Sequence, residues 1–276
     1  MGKSFSDEGY LIIKNAISGK LLVHIQEEIS NYLDDFNHNK NKDKKAYYDF
    51  FFNKVKSLKG SEYEFQKPIW ELLSYKGLID KFLLEKKIYA AVTDVLGKDL
   101  AYINEPSFNL NLPNKDSPKK NYLFKDWHQE IWSGASISNI QIWTPIFQKD
   151  SCQGQLELMA ESHKWGHIPH RNRAPIELPK KYKTIKPNLE CRDIIIFSTL
   201  MLHRSVPAKY PRLSITLQIK NFKYKTHSFL NENVNWKIFS YSDLTKIEKI
   251  LGNHYLSPYR VVDLNTDLIP GTVRKN

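Results

Sequence analysis

Residues 192–222 read RDIIIFSTLMLHRSVPAKYPRLSITLQIKNF, and the fold turns on this stretch. Asp193 to Leu202 is apolar, but far shorter than the roughly 20 residues needed to cross a bilayer, so it reads as a buried strand and its exit. Leu213 to Phe222 alternates and reads as a second strand. Working outward, further strand-like runs occur at Ala101 to Ile103, Ser107 to Leu112, Ile137 to Phe147 and Gln155 to Met159. Pro, Gly, Asn and Asp separate them. Short strands with this punctuation predict an antiparallel sandwich or barrel.

The flanks differ in character. Residues 1–99 are α-rich. A short helical or turn start leads into an apolar strand at Tyr10 to Ile13. Ser18 can cap a helix from about Gly19 to Phe36, in which Leu21, Leu22, Ile25, Ile29 and Leu33 fall at helical spacing. Residues 37–45 are a charged loop, and 68–97 are mostly helical, ending at Gly97. From Lys223 an extension runs to residue 276, with a helix at Asp243 to Leu251. No internal repeat or low-complexity linker interrupts the chain, so residues 1–276 are taken as one domain. It comprises the α-rich segment (1–99), the β core (100–222) and the C-terminal extension (223–276).

The chemistry-bearing residues cluster around that core. His128 and Glu130 stand two apart in DWHQEIW, and neighbours at i and i+2 on a strand share a face. His203 leaves the Asp193 to Leu202 run at the mouth of the same barrel. Two imidazoles and one carboxylate are the donor set of non-haem Fe(II) oxygenases, which leave coordination positions open. An isolated His-x-Glu is common by chance. What lifts it here is Arg212, nine residues after His203, with Ser214 opening the alternating strand. An arginine so placed can take a carboxylate in a bidentate pair, and 2-oxoglutarate has a far carboxylate that needs one. His163, His167 and His170 have helical spacing, but Gly166 and Pro169 argue against a helix. They read as loop residues, with His167 and His170 also candidates for the substrate mouth.

Taken together, FSDEGYLIIKNAIS at the start, WHQE at 127–130, IQIWTPIFQKDSCQGQLELMAESHKWG at 140–166 and RDIIIFSTLMLHRSVPAKYPRLS at 192–214 resemble the phytanoyl-CoA dioxygenase family of Fe(II)/2-oxoglutarate oxygenases. The resemblance spans about Phe5 to Phe222. It implies a double-stranded β-helix, a cupin-like jelly roll, with iron at His128, Glu130 and His203. It implies a salt bridge from Arg212 to the cosubstrate's far carboxylate, assisted by Ser205. Trp143 and Asn109 match positions near the cosubstrate, and Ser214 belongs to the Arg-x-Ser pair. Trp143 reads equally as core packing, and Ser205 as an ordinary loop serine. Gln141 divides between the site and a buried polar network. The chain departs from the family pattern in carrying Glu rather than Asp at 130. Its loop from His203 to Arg212 is also shorter, with Ala208 where Asn is common. The implied reaction is hydroxylation of a C–H bond, using O2 and releasing succinate and CO2. A non-oxidative cupin-type enzyme, a ligand-binding jelly roll and a basic interaction protein are the rival readings.

Composition sets the remaining bounds. At 276 residues and 41% hydrophobic content, the chain can bury a large core. The polar start Met1 to Glu8 lacks the apolar core of a secretory signal, so a soluble, cytoplasmic protein is expected. Cys152 and Cys191 make neither a disulfide framework nor a zinc site and read as buried free thiols. The net charge of +11 favours an anionic partner or only keeps the surface solvated. No basic stretch joins a nucleic-acid motif, so no nucleic acid is expected. A small carboxylated, phosphorylated or CoA-linked substrate fits better, with Lys164, Arg171 and Arg173 able to meet its anionic group.

Overall fold

The computed structural model describes residues 2–33, 49, 51, 53, 62–104, 107–111, 126–149, 156–206, 210, 212–224 and 236–251. Helices α1 (Gly2–Glu8), α2 (Gly19–Leu33), α3 (Glu62–Tyr75), α4 (Leu78–Leu83) and α5 (Lys86–Leu96) precede most of the β structure. The expected Ser18 cap forms: its Oγ accepts the Leu21 N–H at 3.3 Å. The run expected to be helical over 68–97 is three helices, the first of them starting at Glu62 and carrying Pro68 inside it. Gly77, at φ +65°, and Glu85, in an extended conformation, interrupt it. Gly97 ends α5 at φ +79°, where a side chain would strain the backbone, and returns its N–H to Thr93 O. The charged loop at 37–45 and Phe36 lie outside the described residues.

The strands are β1 (Tyr10–Ile13), β2 (Leu100–Ile103), β3 (Ser107–Asn111), β4 (Ile140–Phe147), β5 (Leu156–Met159), β6 (His170–Arg171), β7 (Ala174–Pro175), β8 (Thr184–Ile185), β9 (Ile194–Ser198), β10 (His203–Ser205), β11 (Arg212–Asn221) and β12 (Trp236–Ser240). α6 (Asp243–Leu251) follows, as expected. The large sheet runs β1-β9-β4-β11-β2-β12, with β3 also on β11. The small sheet runs β10-β5-β8, and an isolated bridge adds His128 beside His203. All named pairings are antiparallel. Core strands are dealt between the two sheets as the chain proceeds: β3 and β4 to the large one, β5 and β8 to the small one, β9 back, β10 across, β11 back. That alternation is the double-stranded β-helix, or jelly roll.

Residue parity divides the large sheet into two faces. Ile140, Ile142, Ile194, Ile196, Leu213, Ile215, Leu217 and Ile219 are almost fully buried, in one cluster with Leu22, Ile25 and Ile29 of α2 and Ile69 and Leu73 of α3. Each such side chain contributes about 1.5–3 kcal/mol. This face carries the main core and fixes strand register, because a one-residue slip would turn the apolar row inward. The opposite face looks toward the small sheet. Trp143, Ile195 and Phe197 meet Leu156, Leu158 and Met201 there. The rest of that inner face, on β3, β4 and β11, is polar.

Three expectations change in detail. Strand β4 starts at Ile140 rather than Ile137, because Ser136, Ser138 and Asn139 satisfy one another in a turn and Ile137 is exposed. The sheet reaches beyond residues 100–222 at both ends, since β1 and β12 form its edges. Cys191 is half-buried rather than buried, at the turn before β9, and Cys152 lies outside the described residues.

Candidate metal centre and the inner face

The triad is assembled from two segments joined by reciprocal backbone hydrogen bonds. His128 N–H donates to His203 O and His203 N–H to His128 O, both at 3.0 Å. Glu130 is not on that strand. It opens a 3-10 turn, Glu130–Ser133, and its N–H donates to Thr199 O at 3.1 Å. The expected shared strand face is thus replaced by an isolated bridge at His128 and a carboxylate that turns back. The result still converges: one ligand atom from each of His128, Glu130 and His203 lies within 4.8 Å of the others. Glu130 Oε1 is 3.2 Å from His203 Nε2 and 3.6 Å from His128 Nε2, and the imidazole centroids are 4.1 Å apart.

Backbone carbonyls orient both rings. His128 Nδ1 faces Asp126 O at 2.8 Å, and His203 Nδ1 faces Met201 O at 3.0 Å. With Nδ1–H donated there, each Nε2 faces the shared space, where it carries a proton toward Glu130 or, once that proton is lost, the lone pair that a metal ligand requires. Burial disfavours charge on Glu130, but hydrogen bonds and charge from His128 and His203 outweigh it, holding the carboxyl well below its ordinary range. Beside His203, Glu157 accepts from Arg204 at 2.7 Å and pairs with Lys186 at 2.9 Å, while Arg204 lies 4.6 Å over the Trp127 ring. These contacts fasten β10 to β5.

Gln129, between two triad members, was not singled out by sequence reasoning. It is fully buried, donates from Nε2 to Gly166 O (2.8 Å) and Leu200 O (2.6 Å), and accepts from Ile168 N–H at 3.0 Å. One amide therefore ties the triad segment to the turn before His203 and to the histidine loop. Trp132 adds a bond from Nε1 to Ile168 O (3.0 Å) and stacks on His170 at 4.8 Å. His167 is exposed, as a loop residue should be. His163 is instead half-buried against α1, its Nε2 3.0 Å from Ser6 O. It fits because Gly9 has no side chain: a Cβ there would fall 2.3 Å from His163 Nδ1.

The other candidate residues line the inner face. Arg212 is 2% exposed; its guanidinium lies 4.9 Å from the Trp143 ring centre, and its Nε and Nη1 have no hydrogen-bond partner. Burial pushes its pKa down to about 9. Asn109 Nδ2 donates to Thr216 Oγ1 at 2.6 Å, and Ser214 Oγ donates to Asn109 O at 3.2 Å. Ser205 is half-buried on β10, opposite Leu156. Gln141 is buried opposite Gln218 and Phe197. Asn111, not singled out from sequence, is the register partner of Arg212 and donates to Val206 O at 2.8 Å. Its place two residues from Asn109 on the same strand face was the available signal.

The fold and these inner-face residues define a jelly roll of the kind seen in non-haem iron enzymes. Similar solved structures include the apo form of the non-heme monooxygenase ThoJ (TM-score 0.60, 15% identity, 88% of this chain and 84% of that one). EctD from S. alaskensis with bound Fe aligns over 82% of this chain and 77% of its own (TM-score 0.54, 13% identity). The epimerase SnoN, in complex with Fe3+, alpha ketoglutarate and nogalamycin RO, aligns over 80% and 82% (TM-score 0.51, 10% identity). At such identities the likeness establishes the fold. No protein-family model matches the chain, and no curated protein matches it by sequence. No helix among the described residues is long and apolar enough to cross a membrane.

Proposed function

We propose that this chain is an Fe(II)- and 2-oxoglutarate-dependent oxygenase, a relative of the phytanoyl-CoA dioxygenases, acting in the cytoplasm as one domain on a small molecule. The carrying observation is the pairing of two features. Three metal-type ligands converge at one end of the jelly roll, and a sealed arginine on the inner face has two unmatched donors. A buried cation without a partner is expensive, and a carboxylate is the group that would match it. The donor set therefore fits both iron and the cosubstrate. The likeness to ThoJ, a non-heme monooxygenase, to EctD with bound Fe and to SnoN with Fe3+ and alpha ketoglutarate supports the same chemistry.

On this reading His128, Glu130 and His203 hold the metal. Iron held there supplies, with 2-oxoglutarate and O2, the oxidation of a C–H bond that yields succinate, CO2 and a hydroxylated product. The chain's own residues bind, orient and shield. Met201 O and Asp126 O keep the imidazoles turned with Nε2 inward, and Glu130 stays ionised. Arg212 grips the far carboxylate of 2-oxoglutarate through its unmatched nitrogens. Trp143, beneath that guanidinium, fixes its plane and excludes water. Asn109, Ser214 and Ser205 supply the neighbouring polar wall. The substrate enters between the inner face and the loop of His163 to Arg173.

The test is succinate release from 2-oxoglutarate in air, with Fe(II) added or omitted. Iron-dependent release that disappears in His203→Ala is expected. Absence of both iron binding and succinate release in the wild-type protein would overturn the assignment.

A further inference from the structure

Along the inner face of β11 the polar row runs Arg212, Ser214, Thr216, Gln218. Arg212 and Gln218 are six residues apart, roughly 20 Å of backbone at about 3.3 Å per residue, but the Arg212 guanidinium reaches along the row to lie 4.9 Å from the Trp143 ring centre. On β4 the register partner of Thr216 is Trp143, and that of Gln218 is Gln141. Gln141 also pairs with Phe197 of β9, whose ring centroid lies 4.8 Å from that of His203. The row therefore has two ends. Arg212 over Trp143 makes the cosubstrate end, and Gln141 and Gln218 lie at the end where Phe197 meets the triad.

That second end holds a cluster of side-chain amides. Asn139, just before β4, shares the parity of Gln141 and donates from Nδ2 to Gln218 Oε1 at 2.9 Å. Asn139 is 2% exposed and Gln141 6% exposed. The Oδ1 of Asn139 and the Oε1 of Gln141 are both sealed from water without a hydrogen-bond partner. Oxygen and nitrogen of an amide are assigned from their surroundings; turning either group over leaves an unmatched polar end in the same place. Sealed, unmatched polar groups on a core face are selected against unless something else satisfies them. No acid or base belongs to this trio, and the neighbouring cation, Arg212 over Trp143, is taken by the cosubstrate on this reading, so a charged ligand group would find no free counter-charge there. Lys220, the next residue of the row, turns its ammonium onto the Trp236 ring at 4.1 Å.

We propose that Asn139 and Gln141 form the polar end of the substrate subsite, and that this end takes a neutral hydrogen-bonding group, an amide or a hydroxyl. This assigns Gln141 to the substrate rather than to the cosubstrate. The inference rests on the oxygenase reading for the word substrate, but its observations do not depend on bound iron.

The experiment uses the full chain, with and without Zn(II) plus 2-oxoglutarate, and four probes followed by saturation-transfer NMR. N-methylacetamide and glycerol represent the neutral class; acetate and inorganic phosphate represent the anions. The neutral probes are expected to receive saturation in the wild-type protein and to lose about fivefold in affinity in Gln141→Met, the effect of one neutral hydrogen bond. Gln141→Met is also expected to leave Tm unchanged or raised, because it removes a sealed, unmatched amide. A Tm lowered by more than about 3 °C would mark Gln141 as a structural core group and overturn the proposal. So would neutral-probe signals absent from the wild type or unchanged in the variant, or a Gln141-dependent signal from acetate or phosphate. Failure of Zn(II) and 2-oxoglutarate to bind would count against the oxygenase reading separately, since the probe and Tm arms are read in their absence as well.

Discussion

Arg212 shows how a single side chain can be costly to the free protein and useful to the complex. Its guanidinium is buried against the Trp143 ring. Burial lowers its pKa to about 9. Between that value and the higher one of an ordinary guanidinium the unfolded chain holds a proton that the folded chain tends to lose. The cost of the buried charge is therefore fully present at neutral pH and eases only as pH rises through about 9. Replacing an unmatched buried charge by an apolar side chain of similar volume is typically neutral or stabilising, by about 1–4 kcal/mol. Arg212→Met should therefore raise the Tm of the free protein or leave it unchanged. The same change removes charge-assisted bonds worth about 3 kcal/mol, so the 2-oxoglutarate Kd should rise about 100-fold. Calorimetric titration and thermal melts on one preparation check both signs. A variant that is destabilised yet binds 2-oxoglutarate normally would place Arg212 in the core instead.

At the scale of elements, Asp193 joins the N-terminal segment to the sheet. It stands just before β9 and is 3% exposed. Its carboxylate accepts from Asn15 N–H (2.8 Å), Glu190 N–H (3.0 Å) and Lys14 Nζ (2.8 Å). Burial opposes the charge, but these bonds prevail and lower the pKa below its ordinary 3.8. A carboxyl with a depressed folded pKa adds stability above its unfolded pKa and loses it as pH falls through the folded value. Asp193→Asn should cost about 1–3 kcal/mol at neutral pH, and the gap from wild type should narrow as pH drops below about 4. Melts across pH 3 to 7 measure it; a gap that stays constant would show that the ionised form contributes nothing special. The same elements show what the sequence could disclose. β9 and β11 were legible because burial on both faces, or strict alternation, leaves its mark on residue choice. His203 and Arg212 were legible because they stand nine residues apart around the start of that alternating run. β12 was not, because at the sheet edge Trp236 and Phe239 are only half-buried and Ile238 is exposed. Nor was the 3-10 turn of Glu130, whose geometry depends on Thr199 and on Gln129 reaching Leu200, partners some 70 residues away that no local pattern reveals.

Across the whole molecule, segments from outside the β core close the large sheet, β1 on one edge and β12 on the other, while α2 and α3 cover its apolar face. The site lies on the opposite face, between segments held mainly by the His128–His203 backbone pair and by Gln129. A metal bridging His128, Glu130 and His203 would cross-link those segments, so metal binding should stabilise the fold by mass action. Ligand at about 100 times its Kd adds about 2.7 kcal/mol, and a chain of this size gains roughly 2–4 °C per kcal/mol. Adding Fe(II) or Mn(II) anaerobically should raise Tm by about 5–10 °C, with a further rise from 2-oxoglutarate, and a chelator should reverse both. His128→Ala and His203→Ala should each abolish the metal-dependent rise, and the double variant should do no more than either alone, because losing one ligand already disables the site. Equal metal-induced shifts in wild type and single variants would show binding elsewhere, with the exposed histidine loop the first place to look.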